Sequence, residues 1–417
     1  MILDSLLALG LVLATATQLR FGDTPFGPGE MCLVVWIGLS LCIQAGRPAP
    51  VSNAALTRVA VFWLILIAAE CVGMIRGFAT EPFFDTSHFI HDVVAYSFLF
   101  GLACIMALEL TSKQRRRRVT WLIVLLGAAS LSLQVVQAYG LINLPIEVEP
   151  WFFDRLKGWS QDANQLGLAT ALLAVISLHL VDTATRRAGI IVGAACAAFT
   201  ITVGVLTKSD SFTVGLLAAG VVFLAIKSWT WLATFERGLT LRAVLVSLFL
   251  LGLPVLAAGA IPLAPLLVDR VEARSEALYN EDNQGDLRFH LWAEAFDKGM
   301  GAAMLGLGPG PHLTEKAWKQ SPPYKFEADN TPLDLFVQGG LLALLAITLL
   351  YGSLLVATTR ARLPALAALC SAFVVFSMFH FIIRHPIFWF GVVLCLLEAA
   401  SIPKASFGGK QPDVARP

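Results

Sequence analysis

The stretch FEADNTPLDLF sets Glu327, Asp329 and Asp334 where polar sequence passes into a long apolar run. Apolar surroundings hold a carboxyl toward its protonated form, which suits it to take a proton from a hydroxyl near neutral pH. Asp329 is the first candidate for such a base, with Glu327 and His312 as rivals. A second reading stays open, in which Asp329 or Asn330 caps the helix that follows. Asp334, one turn inside, is placed to pair with a cation such as Arg288 or Lys208, because acids within apolar spans are paired or functional by default. Arg155, Lys157 and Arg384 are further cations in the loops of the same side.

Such groups need a scaffold, and the composition names its class. The chain has 417 residues, of which 57% are hydrophobic and 14% charged; its mean hydropathy is +0.73. A soluble domain carries about 25% charge. Apolar blocks near bilayer length fall at 1–19, 31–46, 59–75, 89–110, 119–140, 164–182, 188–207, 211–227, 242–260, 331–357, 363–380 and 385–401. Lipid leaves no partner for an open backbone group, so these blocks predict helices, and they lack the alternation of a β-barrel. The expected fold is an all-α polytopic membrane protein of about twelve spans. Its single transmembrane domain covers 1–403, a large outer loop at 261–330 precedes the last three spans, and a disordered tail covers 404–417. The block starting at Met1 lacks a basic n-region and a cleavage site, so it reads as a retained span.

Lys and Arg in the short loops orient the set. Arg47 and Arg58, the run KQRRRR at 113–118, Arg186 and Arg187, Lys227, Arg237 and Arg242, and Arg360 and Arg362 all fall on one side. Both termini are therefore expected in the cytoplasm, with KQRRRR as a topology anchor rather than a lipid or nucleic-acid site. A net charge of +1 suggests no nucleic-acid partner. The seven cysteines sit in apolar blocks without a CxxC pair and read as small core residues. Glu70 reads as a paired structural acid, and Trp229 and Trp389 suit interfacial belts. His91 and Asp92 lie near a helix end, where capping or snorkelling accounts for them. No cluster has metal-ligand spacing, and the Gly-rich phosphate loops and GxSxG elbow of soluble enzymes are missing.

Within the large loop, Asp286 to Lys298 has helical periodicity. Leu287, Leu291, Ala295 and Lys298 share one face, while Phe289, Trp292 and Phe296 line another. The following LGLGPGPHL is a Gly/Pro-broken loop whose backbone amides are free to approach a ligand. This region resembles the O-antigen ligase and polymerase family of bacterial membrane glycosyltransferases. Arg288, Trp292 and Gly299 match an Arg–x10–Gly segment, and Gly306, Gly308 and Gly310 match the glycine turn after it. Asp329–Asn330 stands at the mouth of the next span, where the family often has His before Asn. SQDANQLGLA at 160–169 resembles a DxN span entry, and Lys208 in TKSDS stands where many members have Arg.

The resemblance implies a metal-independent, C-type glycosyltransferase fold without a cofactor, in the bacterial inner membrane. Its donor would be a glycan on undecaprenyl pyrophosphate, and its acceptor a hydroxyl of another lipid-linked repeat. Arg288 and then Lys208 would hold the departing diphosphate, since guanidinium matches phosphate in a planar fork that Lys lacks. Asn330, His312, Arg155 and Trp292 join them as expected substrate-binding residues, and Asp329, Arg288 and Glu327 as catalytic ones. Asp329 in place of His favours a polymerase over a ligase that transfers polymer to lipid A–core. A transporter or flippase of lipid-linked sugars is the alternative from another class. Membrane lipid is an expected partner, and polymer length would be set by this chain or by a separate chain-length regulator protein.

Overall fold

A computed structural model of the chain describes residues 1–21, 24, 26–46, 53–80, 86–234, 284–314 and 325–402. Among them are twelve α-helices. They are α1 (Ile2–Leu13), α2 (Pro28–Ala45), α3 (Ala54–Thr80), α4 (Thr86–Glu109), α5 (Lys113–Ala138) and α6 (Ala163–Asp182), followed by α7 (Arg187–Leu206), α8 (Asp210–Thr234), α9 (Gln284–Gly301), α10 (Thr331–Arg360), α11 (Pro364–Ser377) and α12 (Pro386–Ala400). A hairpin of β1 (Trp151–Phe152) and β2 (Arg155–Leu156) lies between α5 and α6. Eight helices, α2 to α8 and α10, are long and apolar enough to cross a membrane. The chain is an all-α multi-pass membrane protein. The expected span at 242–260, residues 261–283 and 315–324 of the large loop, and the tail from 404 lie outside the described residues.

Three expected spans are shorter than their apolar blocks. α1, α11 and α12 have 12, 14 and 15 residues, about 18–23 Å of helix against about 30 Å of hydrocarbon. Irregular backbone follows α1 and links α11 to α12. Such backbone survives at depth only where protein covers it, and here Ala14, Ala16, Thr17, Phe381, Ile382 and Ile383 are all buried. The amide of Gln18 donates to the Trp159 carbonyl (2.8 Å), and Thr331 Oγ1 donates to the His380 carbonyl (2.7 Å). The end of the bundle where these helices stop short is the mouth end, and the opposite one is the basic end.

At the basic end, KQRRRR does more than collar the bundle with charge. Arg116 is fully buried and donates to Glu398 Oε1 at 2.6 Å, to Ser401 Oγ at 2.8 Å and to the Leu110 carbonyl at 3.0 Å. Arg115 bonds Asp4 Oδ1 at 2.7 Å and also holds Glu109. The run thus ties α1, α4 and α12 to α5. Trp389 is no belt residue either: it is fully buried, its Nε1 donates to the Ile383 carbonyl (2.7 Å), and its ring lies 4.7 Å from that of Trp63. Cys196, Cys370 and Cys395 are buried as expected, but Cys42 and Cys71 are exposed on the helix flanks.

The contact that positions the mouth is a break in α10. Gly340 has φ 66° and ψ −158°, so the helix ladder is interrupted there. The loop after α9 fills the gap: Leu307 N donates to Val337 O (2.8 Å), Gly308 N to Gln338 O (2.8 Å), and Leu341 N to Met304 O (2.8 Å). The amides expected to be free for a ligand are therefore held by α10 at Leu307 and Gly308. Tyr96 Oη donates to Gln338 Oε1 (2.7 Å), while Gln338 Nε2 donates to Gly310 O (3.3 Å). A Cβ on Gly73 or Gly77 of α3 would come within 2.3 Å of Gln338 O or 2.1 Å of Leu307 O. Only a bare backbone lets α3, the loop and α10 meet so closely.

A side chain at Gly340 would be strained in φ and would meet Met304 O at 2.1 Å. Gly340→Ala is expected to cost about 3 kcal/mol or more, read as a lower unfolding midpoint of the detergent-purified protein. Gly352→Ala, in open space on the same helix, is the neutral comparison. Equal midpoints for the two variants would mean that the break does not hold the fold.

Candidate functional site

The entry to α10 is built by capping. Asn330 is the N-cap: its Oδ1 accepts from Leu333 N (3.2 Å) and its Nδ2 donates to Met378 O (3.1 Å). Asp334 pairs with neither Arg288 nor Lys208. It is buried and accepts from the amides of Ala328 (2.7 Å) and Asn330 (3.1 Å). Those bonds fold the entry so tightly that Asp329, between them, takes a left-handed φ of 51°. With Asn330 and Asp334 serving the backbone, the Asp329 carboxylate is left to face the mouth.

α9 lies against this entry. Leu291 and Ala295 are buried, and Trp292 Nε1 donates to Ala328 O (2.9 Å) while its ring meets Phe379 at 6.3 Å. Trp292 therefore fastens α9 to the entry and to the loop between α11 and α12. Arg288 lies one turn earlier, on the inward side of α9, and is half-buried. It forms no hydrogen bond or ion pair among the described residues, yet its charge acts on Asp329. Asp329 is open to solvent within a dense protein surround. Lost hydration raises its pKa, Asp162 adds to that rise, and Arg288 and Arg384 oppose it.

Around this pair stand groups that the sequence did not join to it. Arg384 Nη2 bonds Asp92 Oδ2 (2.6 Å) and Glu327 Oε1 (2.5 Å), and Asp92 also contacts His91 (3.3 Å). Asp92 is thus a buried counter-ion rather than a helix-end residue, and Glu327 is committed to Arg384. Burial raises the Glu327 pKa, Arg384 opposes the rise, and Asp92 reinforces it. His380 and His385, both buried, meet Nε2 to Nε2 at 2.9 Å. One ring must donate and the other accept, so they cannot both be imidazolium.

Other expected site residues are placed elsewhere. Lys208 pairs with the exposed Asp154 and holds that carboxyl below its usual range. Arg155 donates to Asn164 Oδ1 (2.9 Å) and Thr207 O (3.2 Å), joining the DxN entry to the 207–211 turn. Lys157 pairs with Glu149 at 3.2 Å. His312 is buried, with Nε2 2.8 Å from Gly308 O, in the loop that fills the break. Glu70, expected as a paired acid, is buried and neither carboxyl oxygen has a hydrogen-bond partner among the described residues. Asp162 caps α6 through Asn164 N (3.2 Å) and acts on both Asp329 and His380, so that cap belongs to the mouth.

A half-buried guanidinium, a carboxylate with raised pKa and a buried histidine pair are electrostatic neighbours at the α10 entry, and together they suit transfer chemistry on an anionic substrate. Residues 195–348 match the family model described as O-antigen ligase. That match bears out the family resemblance and includes α9, the glycine loop and the first half of α10. The DxN entry at 160–169 lies outside it. No curated protein matches the chain. The match supports a membrane glycan-processing function.

Arg384→Gln would leave the Asp92 and Glu327 carboxylates without their cation. The expected cost is about 3 kcal/mol at about pH 8, read from thermal unfolding in detergent. Without the guanidinium, the folded pKa of Glu327 rises further above its unfolded value. The folded form then holds the proton more tightly, so stability is lost as pH rises through the unfolded and then the folded pKa. The deficit should therefore shrink toward about pH 5. A deficit independent of pH over that range would deny Arg384 the counter-ion role.

Proposed function

We propose that the chain polymerises lipid-linked oligosaccharide repeats at the outer face of the bacterial inner membrane, with both termini in the cytoplasm. The acceptor sugar hydroxyl gives its proton to the Asp329 carboxylate. Its oxygen bonds the anomeric carbon of the donor glycan, and the bond from that carbon to undecaprenyl pyrophosphate breaks. The diphosphate leaves with the electron pair, and Arg288 stabilises its growing charge, as a preplaced cation does in a partly dry site. No metal takes part. Support comes from one observation above all: Arg288, unpaired among the described residues, acts on Asp329 at the entry of α10, inside the matched family region.

The other candidates fit supporting roles. Glu327 is held by Arg384, His312 by the glycine loop, and Asn330 by its cap. Trp292 orients α9 through its bond to Ala328. Lys208 and Arg155 sit on the neighbouring turns, where they suit the sugar or carrier more than the reacting phosphate. A chain-length regulator fits as a partner of this reaction.

Arg288→Ala is expected to slow transfer by about 10²–10³-fold, and Arg288→Lys to restore part of it, because charge returns without the fork. The measurement is the length and amount of polymer on gels at equal expression. A normal ladder from Arg288→Ala removes the leaving-group role. A second reading, the ligase, is favoured by the description of the matching family model. Deleting a ligase leaves polymer on the carrier and bare lipid A–core, whereas deleting a polymerase leaves single repeats. Extension of a lipid-linked oligosaccharide by pure protein in detergent would exclude a transporter.

A further inference from the structure

The apolar arc of α9 is wider than the protein covers. At about 100° per residue, Leu291, Trp292, Ala295 and Gly299 fall in one arc, which packs on the α10 entry. Beside it, within about 60°, lie Phe289, Ala293, Phe296 and Met300. Their side chains are exposed, with Phe289 at 69% and Phe296 at 54%. The polar residues His290, Glu294, Asp297 and Lys298 take the remaining side. A helix with this division suits a membrane interface.

What covers the stripe is indicated by what it runs into. Beyond Met300 the chain passes through the exposed Met304 and Leu305, and Met304 O accepts from Leu341 N of α10. From there the exposed row continues along Leu341, Leu342, Leu345 and Leu349 on a 30-residue span. On the other flank Arg76 of α3 holds Gly301 O (3.1 Å), beside the exposed Ile75 and Phe78. The stripe is therefore continuous with the outward faces of two membrane-crossing helices.

We propose that α9 is seated in the bilayer interface at the mouth end, with Phe289, Phe296 and Met300 against phospholipid acyl chains. Contacts along α9 run from Ala328 at Trp292 to Leu341 at Met304. The segment thus descends beside α10 toward the hydrocarbon, and it carries Arg288 at its shallow end. Arg288 then lies at the level of phospholipid headgroups, where a lipid-borne phosphate would present itself. The lipid seat does not depend on the glycan chemistry proposed above.

The test is a nitroxide at Phe289, Phe296, Leu305 or His290 of the full chain, with its seven native cysteines replaced, in phospholipid nanodiscs. Relaxation by oxygen and by a water-soluble nickel chelate is compared at each site. Oxygen should dominate at the three apolar positions, increasingly from 289 to 305, and the chelate at 290. Chelate dominance at 296 and 305 would overturn the seat. Protection from both reagents would also overturn it, by showing that another part of this chain, or a second copy, covers the stripe. Ala293 and Met300 serve as alternative label sites should a Phe variant fail to fold. Loss of polymer synthesis with the gradient intact would count against the chemistry and leave the seat standing.

Discussion

Backbone amides and carbonyls inside a membrane protein must find partners within the protein, and the break at Gly340 meets that demand in an unusual place. The helix opens for one turn, and the loop from Met304 to Gly308 closes it with its own amides and carbonyl. This exchange ties three sequence-distant pieces into one frame. α9 is drawn against α10, α3 approaches through Gly73 and Gly77, and Tyr96 of α4 joins through Gln338. Asp329 and Arg288 sit at the two ends of that frame that point toward the mouth. Their spacing is therefore set by backbone bonding and by glycines, more than by any contact between the two side chains.

The charges around the mouth divide by whether they are satisfied. Arg384 is held between Asp92 and Glu327, Asp334 receives two amides, and Asn330 spans the cap and Met378 O. These groups are committed to protein partners, and they fix the geometry of the entry. Arg288 and Asp329 are different: they act on each other through space without an ion pair among the described residues. A left-handed φ at Asp329, costly for a residue with a Cβ, is maintained by its committed neighbours. Backbone strain and charge without an ion pair thus meet at the entry of α10.

Much of the architecture was legible because hydrophobic length is a local signal. The blocks at 59–75 and 331–357 read as spans from composition alone, and α3 and α10 extend over them. The Asn330 cap and the shared buried face of Leu291 and Ala295 also follow from local spacing, whereas Trp292 turns inward, away from the face it was expected to share with Phe289 and Phe296. The block at 385–401 marked α12 to within a residue at each end, but the stop of α11 at Ser377 was not legible, because Met378 and Phe379 are as apolar as any span. Nor was the partner of Asp92, since Arg384 stands 292 positions away in sequence. The histidine pair falls in the same gap: His380 and His385 meet only because α11 stops at Ser377. The DxN spacing did mark Asp162 as a span entry, and its role at the mouth comes from where α6 begins in space.

Commitment to protein partners also decides which carboxylate can exchange a proton. Glu327 and Asp329 both have raised pKa values from burial. Protonating Glu327 would surrender an ion pair with Arg384 and leave that guanidinium with Asp92 alone, so each turnover would disturb the frame. Protonating Asp329 breaks no hydrogen bond or ion pair among the described residues, and it removes only the through-space attraction of Arg288. In the proposed reaction that cation would then have a stronger claim on the departing phosphate as the proton arrives. In the proposed transfer, the proton taken by Asp329 would also free Arg288 from its attraction, which Glu327 could not do from within its ion pair.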